Sequence, residues 1–227
     1  MFKKSLLLFS ILLLSTCEVI PELEIILEPE IIPEIIPEEK INVYFCGGQS
    51  NANEIWFETI KNRILDVDSS AILIHSYHSG QSISSWYDLK PMENYTVDLL
   101  EIQSNLSGID YDIRGFFWFQ GESDRFRDLP EFYQRRFYNL IDQFEYDLND
   151  SFPIFMTIVN LAYQDATENI RLVQKSMINA DDNICWIDSL GSPTLHENTS
   201  HMRPPEYIRL GNEISDVAIE ILYGGEE

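Results

Sequence analysis

The chain has 227 residues, a formal net charge of −23, an apolar content of 44% and an aromatic content of 12%. The apolar content is typical of a protein with a globular core. The excess of acidic residues argues against nucleic acid as a partner, because phosphate contacts require clustered Lys and Arg, and it also disfavours binding to an anionic membrane surface.

The first 17 residues predict an export signal that is not part of the folded domain. Two lysines precede an apolar run from Ser5 to Leu14, which is shorter than the roughly 20 residues that cross a bilayer. The next residues resemble the cleavage box of bacterial lipoproteins, which would place a lipid on Cys17. Thr16 departs from the usual small residue before that cysteine, so ordinary secretion is the alternative. We therefore expect an exported protein, either secreted or held at the cell surface or in the periplasm by a lipid anchor.

Residues 18–40 form a low-complexity segment rich in Glu, Ile and Pro. The prolines recur too often for a helix or a central strand, and the glutamates repel one another. These features predict an extended tether, which would reach on the order of 70 Å in polyproline geometry. The folded domain is predicted to comprise residues 41–227. The alternative to a tether is an edge segment whose isoleucines pack on this domain.

From residue 41 onwards, strand and helix patterns alternate. Apolar runs with β-branched and aromatic residues predict strands, and apolar residues at helical spacing predict helices. The predicted elements are strand 41–48, helix 54–65, strand 71–77, helix 95–106, strand 111–119, helix 131–148, strand 153–160, helix 165–179, strand 183–188 and helix 205–222. Near-continuous apolar strands separated by helices predict a five-stranded parallel sheet covered on both faces, which is a three-layer α/β/α domain.

Two further cysteines, Cys46 and Cys185, lie in the first and fifth predicted strands. The pattern favours small buried core residues. An exported protein can also pair such cysteines, provided that the two strands lie close together.

Ser50 lies in the turn between the first strand and the first helix, after two glycines. A serine there has its hydroxyl at the carboxyl end of a strand and its N–H near a helix N-terminus. A nucleophile needs both exposure to substrate and amide donors for the charge that develops on the substrate oxygen. The alternative is that Ser50 and Asn51 only cap the helix.

Polar loops follow four of the strands, and the carboxyl ends of parallel strands meet at one edge of the sheet. The loops are GGQSN with Ser50, HSGQSISSW with Gly80, WFQGESD with Gln120 and Glu122, and HENTSHMRPPEY with His201. A histidine is needed to take the proton of the serine hydroxyl. The N–H groups of Ser50 and Gly80 and the side-chain amide of Gln120 would together form an oxyanion hole.

The blocks GQSN, SGQSISSW, WFQGESD and HMRPPEYIRLG resemble those of the SGNH hydrolases, and more narrowly those of the sialate O-acetylesterase and acetylxylan esterase-like carbohydrate esterases. The four blocks occur in the family's order. The resemblance implies a flavodoxin-like fold, Ser50 as nucleophile, His201 as base, and Ser50, Gly80 and Gln120 as oxyanion donors. It also implies release of acetate from an acetylated carbohydrate through an acyl-enzyme, without a cofactor. No cluster of His, Cys and Asp has the spacing of a metal site.

One residue departs from the family pattern. Many members have Asp three residues before the histidine, and this chain has Asn198. An asparagine can orient an imidazole through its carbonyl oxygen but cannot stabilise the imidazolium by charge. We therefore predict a Ser-His dyad supported by Asn198 and Glu122.

Alternative functions stay open at the level of sequence. One is a catalytically weakened carbohydrate-binding surface protein on the same fold, and another is a lipase or thioesterase, for which the polar loops do not suggest an acyl channel. The acetylated sugar also stays open between sialic acid, xylan and a cell-wall polymer. A sialate would need a basic residue near the pocket, for which Arg125, Arg127 and Arg203 are candidates.

Overall fold

The structure is a computed structural model that describes residues 40–87, 92–125, 130–160, 164–196 and 199–224. The predicted export signal, including Cys17, lies outside the described residues, as do residues 18–39 of the tether and Asn198. Within the described ranges, no helix combines the length and the apolar character needed to cross a membrane.

Strands and helices alternate along the chain. The strands are β1 (Ile41–Gly48), β2 (Ile72–Tyr77), β3 (Tyr111–Phe119), β4 (Ile154–Ile158) and β5 (Ile184–Asp188). The helices are α1 (Glu54–Val67), α2 (Glu93–Asn105), α3 (Pro130–Leu148), α4 (Gln164–Ala180) and α5 (Pro204–Tyr223). Every predicted element is present, and the observed ends differ from the predicted ones by no more than two residues. A short 3₁₀ helix, Ile83–Ser85, lies in the loop after β2.

The five strands form one parallel sheet in the order β2-β1-β3-β4-β5. The chain adds β2 on one side of β1 and β3 on the other, so the direction of strand addition reverses between β1 and β3. In open α/β sheets this reversal leaves a crevice at the carboxyl ends of the two strands, where ligands bind. The predicted flavodoxin-like α/β/α fold is confirmed.

Alternate residues of the central strands face opposite layers of the core, which explains the long apolar runs in these strands. In β1, Val43 and Phe45 belong to one buried cluster, and Tyr44 and Cys46 belong to the other. The first cluster is covered by α2, α3 and α4, and the second by α1 and α5.

The free thiols of Cys46 and Cys185 are too far apart to pair. Cys46 lies opposite Phe117 of β3, which lies opposite Phe155 of β4, which in turn lies opposite Cys185. Three interstrand spacings amount to about 14 Å, about twice the Cα separation that a disulfide tolerates. Cys46 is a buried core residue as predicted, and burial raises the pKa of its thiol. Cys185 is half-buried because it lies on the edge strand β5.

Candidate active site

A cavity of about 350 Å³ opens where the loops after β1, β2, β3 and β5 meet. Its volume falls in the lower part of the range for small-ligand sites. The lining residues are Gln49, Ser50, Ser79, Gly80, Glu122, Ser123, Arg125, Ser200 and His201. The four loops whose convergence the sequence predicted therefore share one site. Across the described ranges, no group of three or more His, Cys, Asp and Glu side chains could hold a metal ion.

Ser50 and His201 meet in this cavity although 151 positions separate them in the chain. The Nε2 atom of His201 lies 2.8 Å from the Oγ atom of Ser50, within hydrogen-bond reach. The backbone N–H of His201 donates to Thr199 Oγ1 over 3.1 Å, which fixes the loop locally. No described residue forms a hydrogen bond with Nδ1 of His201. Among the described residues, no carboxylate therefore binds the His201 ring in the way that the aspartate of a serine triad does.

The turn that carries Ser50 is fixed by backbone hydrogen bonds. The N–H of Ala52 donates to the carbonyl oxygen of Gln49 over 2.8 Å, which closes the turn around Ser50. The side chain of Asn53 caps α1 by accepting from the N–H groups of Ile55 and Trp56. The alternative in which Ser50 and Asn51 serve as the helix cap is wrong, because Asn53 occupies that position.

Asn51, the residue after Ser50, is fully buried and uses its side chain as a bridge. Its Nδ2 atom donates to Oε1 of Glu122 and, over 3.0 Å, to the carbonyl oxygen of Ser200. Its Oδ1 atom accepts from the hydroxyl of Tyr207 over 2.7 Å. Both N–H groups and the oxygen of the amide are therefore engaged.

These bonds hold the backbone on both sides of His201. Ser200 precedes His201 and is bound directly by Asn51. Met202 follows His201, and its N–H donates over 3.1 Å to the hydroxyl of Tyr207, which in turn donates to Asn51. Asn51 thus ties the histidine loop to the turn that carries Ser50.

We expect Asn51→Ala to lower the free energy of unfolding by about 2–4 kcal/mol, because it leaves several buried polar groups without a partner at about 1–3 kcal/mol each. Chemical denaturation measures this loss. Asn105→Ala, at the exposed end of α2, is the matched control and should stay within about 0.5 kcal/mol of the wild type. Equal losses in the two variants would show that the bridge does not hold the loop.

Glu122 is buried beneath the cavity with 2% of its surface exposed. Burial raises the pKa of its carboxyl to about 7, against the opposing effects of the Asn51 hydrogen bond, its own backbone N–H and the charge of Arg125. Glu122, which the sequence predicted as a supporting residue, contacts the amide nitrogen of Asn51. Tyr207 contacts the amide oxygen at the other end of the same group.

The side chain of Gln120 does not reach the cavity, which corrects the prediction that it offers an oxyanion donor. It is fully buried, and its Nε2 atom lies 2.6 Å from Oδ2 of Asp124, 3.1 Å from the carbonyl oxygen of Gln81 and 3.3 Å from Oε1 of Gln49. These acceptors draw the amide into the protein. Gln120 therefore joins the loops after β1, β2 and β3 to one another.

Ser50 and Gly80, the residues whose backbone N–H groups the sequence predicted as oxyanion donors, both line the cavity. Neither N–H group forms a hydrogen bond with any described residue. At Gly80, no atom lies within 4 Å of the position that a Cβ would occupy, so the backbone borders open space.

The loop that carries Gly80 is anchored by Asp98, which the sequence analysis did not single out. Asp98 is fully buried on α2 and accepts hydrogen bonds from Ser76 Oγ at 2.6 Å, His78 Nε2 at 2.7 Å and Trp86 Nε1 at 2.7 Å. Three donors from one segment converge on one carboxylate, so α2 fixes the cavity wall from behind. A single acidic residue in an amphipathic helix gave no sequence signal for this role.

Comparisons with known proteins agree with the fold. A family model described as carbohydrate esterase, sialic acid-specific acetylesterase, matches residues 54–220. The matched range includes Gly80 and His201 and begins four residues after Ser50. No curated protein sequence matches the chain.

Solved structures with low sequence identity share the architecture. A protein from Arabidopsis thaliana has a TM-score of 0.66 and 18% identity, over 81% of this chain and 100% of that one. A carbohydrate acetylesterase from Xanthomonas citri has a TM-score of 0.60 and 14% identity, over 82% of this chain and 57% of that one. NanS has a TM-score of 0.56 and 15% identity, over 72% of this chain and 69% of that one. At these identities the likeness shows the fold.

Proposed function

The chain belongs to the carbohydrate esterase family of sialic acid-specific acetylesterases and is a carboxylic ester hydrolase, and from this premise we propose that it releases acetate from acetylated sugars with Ser50 as the nucleophile. The observation that carries the proposal is the 2.8 Å contact between Ser50 Oγ and His201 Nε2 inside the cavity. A serine hydroxyl is a poor nucleophile at neutral pH unless a base within hydrogen-bond reach accepts its proton.

The first half of the reaction acylates the enzyme. The Oγ atom of Ser50 attacks the acetyl carbonyl carbon while its proton passes to Nε2 of His201. The carbonyl oxygen becomes an oxyanion, and the N–H groups of Ser50 and Gly80 donate to it. When the intermediate collapses, the bond to the sugar oxygen breaks and His201 returns the proton to that oxygen. The sugar alcohol leaves and the acetyl group stays on Ser50.

The second half repeats the proton transfers with water. His201 takes a proton from a water molecule, whose oxygen attacks the acetyl carbon. Collapse of the second intermediate releases acetate, and the proton returns to Ser50 Oγ. Apart from this water molecule and the substrate, the proposed chemistry uses only side chains and backbone groups of this chain.

The basic residues named from the sequence differ in their relation to the cavity. Arg125 lines it. Arg203 borders a separate surface cavity together with Pro193 and Leu195, and Arg127 lies outside the described residues. A guanidinium at the wall favours a sugar that carries a carboxylate, because Arg pairs with carboxylates in a planar, two-pronged geometry. Among the sugars considered, this supports an acetylated sialic acid as substrate.

We expect acetate release from O-acetylated sialic acid to exceed release from acetylated xylan and acetylated peptidoglycan by about tenfold or more, which corresponds to one charge-assisted hydrogen bond. An enzymatic acetate assay on the three substrates measures this. Release from xylan or peptidoglycan alone would keep the esterase and overturn the assignment of the sugar. Binding of these glycans without acetate release, together with no hydrolysis of 4-nitrophenyl acetate, would favour the weakened carbohydrate-binding protein.

A further inference from the structure

Glu122 presents one carboxyl oxygen that the protein itself does not satisfy. The side chain is almost fully buried, yet Glu122 belongs to the cavity wall. Its Oε1 atom accepts from Asn51. Its Oε2 atom is buried and receives no hydrogen bond from any described group. Buried carboxyl oxygens without a partner are rare in native proteins, and such an oxygen at a cavity wall points to a ligand.

The orientation of this carboxyl is fixed. Asn51, which occupies Oε1, is itself held by Ser200 and Tyr207 and does not line the cavity. Oε2 is therefore the carboxyl oxygen that the described residues leave without a donor. Because Asn51 is the neighbour of Ser50 in the chain, the position of Oε2 is tied to the turn that carries the nucleophile.

The protonation behaviour of Glu122 restricts what its partner can be. Burial raises the pKa of the carboxyl to about 7, with the charge of Arg125 lowering it and the charge of Asp124 raising it. Above about pH 7 the carboxyl of Glu122 is mostly ionised and accepts hydrogen bonds. Below about pH 7 it is mostly neutral and can donate one. An alcohol hydroxyl pairs with both forms, since it donates and accepts. A substrate carboxylate would be repelled by the ionised form and belongs near Arg125.

We propose that Oε2 of Glu122 binds a substrate hydroxyl that neighbours the acetylated oxygen, and that this contact makes the site select acetyl esters of sugars and other polyols over esters of simple alcohols. The inference rests on the proposed esterase function and adds the group that reads the alcohol half of the substrate. Glu122 is then a specificity-determining residue as well as a partner of Asn51.

A minimal pair of esters tests the proposal without knowledge of the sugar. The full chain is assayed with 2-hydroxyethyl acetate and with propyl acetate, which differ by a hydroxyl in place of a methyl group next to the ester. The ratio of the two kcat/KM values is divided by the same ratio for hydrolysis by hydroxide, which removes the intrinsic reactivity. We expect the wild type to prefer the hydroxylated ester by about tenfold or more, the effect of one hydrogen bond to a charged group.

Variants then test whether the preference for the hydroxylated ester depends on Glu122. Glu122→Ala should bring the ratio close to one, and Glu122→Gln should lower it to an intermediate value, because an amide keeps a weaker neutral hydrogen bond. Glu168→Gln, the same change on the exposed surface of α4, should keep the wild-type ratio. A purely structural role of Glu122 would lower both rates alike and leave the ratio unchanged.

The possible outcomes distinguish a failure of the Glu122 inference from a failure of the proposed esterase function. If the wild type hydrolyses both esters in proportion to their reaction with hydroxide, the inference is overturned even if neither Glu122 variant folds. It is also overturned if the Glu122 variants keep the wild-type ratio. If the wild type hydrolyses neither ester, nor any acetylated sugar, the proposed function itself fails.

Discussion

Ser50→Ala is expected to lower kcat/KM for acetyl esters by at least about 100-fold while leaving the fold intact. In a complete serine triad the loss on removing the serine reaches about 10⁶-fold, and removing the acid alone costs about 10⁴-fold. If His201 acts without any acid, removing the serine should therefore lower kcat/KM by only about 100-fold. The size of the loss consequently reports how well His201 is oriented despite the asparagine at position 198.

Steady-state hydrolysis of 4-nitrophenyl acetate and of an acetylated sugar gives the comparison. Ser104→Ala is the matched control, because Ser104 is exposed on α2 and its hydroxyl contacts only the carbonyl oxygen of Glu101. Thermal unfolding of both variants shows that the fold persists. A Ser50→Ala protein that hydrolyses acetyl esters at the wild-type rate contradicts the mechanism. Equal losses in Asn198→Ala and Ser50→Ala would contradict the view that Asn198 is auxiliary.

The fold was predictable because the central strands are buried on both faces. Tyr44 and Phe45 pack into opposite layers, so both sides of β1 are apolar and the run from Val43 to Cys46 is unbroken. Such runs, separated by helical patterns, predict a parallel sheet with helices on both faces. The edge that carries the site follows from the same logic, since the loops at the carboxyl ends of the strands must meet there.

Side-chain direction within the loops was not predictable. The sequence block WFQGESD gives residue types but does not reveal that Asp124, four residues after Gln120, attracts its amide away from the cavity. In the same way, Asn51 can be interpreted as a helix cap until the structure shows that Asn53 fills that position. Both cases concern polar residues with several partners within reach, where small backbone differences decide which hydrogen bond forms.

Gly48→Ala is expected to reduce the free energy of unfolding by about 4 kcal/mol or more, a loss reserved for substitutions that disrupt a buried backbone. Gly48 is the last residue of β1 and has a φ of +140°, which L-residues rarely adopt. A Cβ at this position would lie 2.2 Å from the carbonyl oxygen of Phe119 and 3.1 Å from Cβ of Ala52. The backbone of β3 cannot move aside, because that same carbonyl accepts from the N–H of Gln49.

The glycine at position 48 thus lets β1 approach β3 closely enough for the next two residues to place Ser50 over the crevice. Gly108→Ala separates the two sources of cost, because Gly108 has a φ of +78° but no atom within 4 Å of its Cβ position. That control should lose only about 1–2 kcal/mol, the cost of the left-handed conformation alone. Denaturant unfolding of both variants measures the difference. Equal losses would mean that the backbone conformation, and not the contact with Phe119, explains why position 48 requires glycine. The close approach of β1 to β3 would then no longer account for the position of the nucleophile.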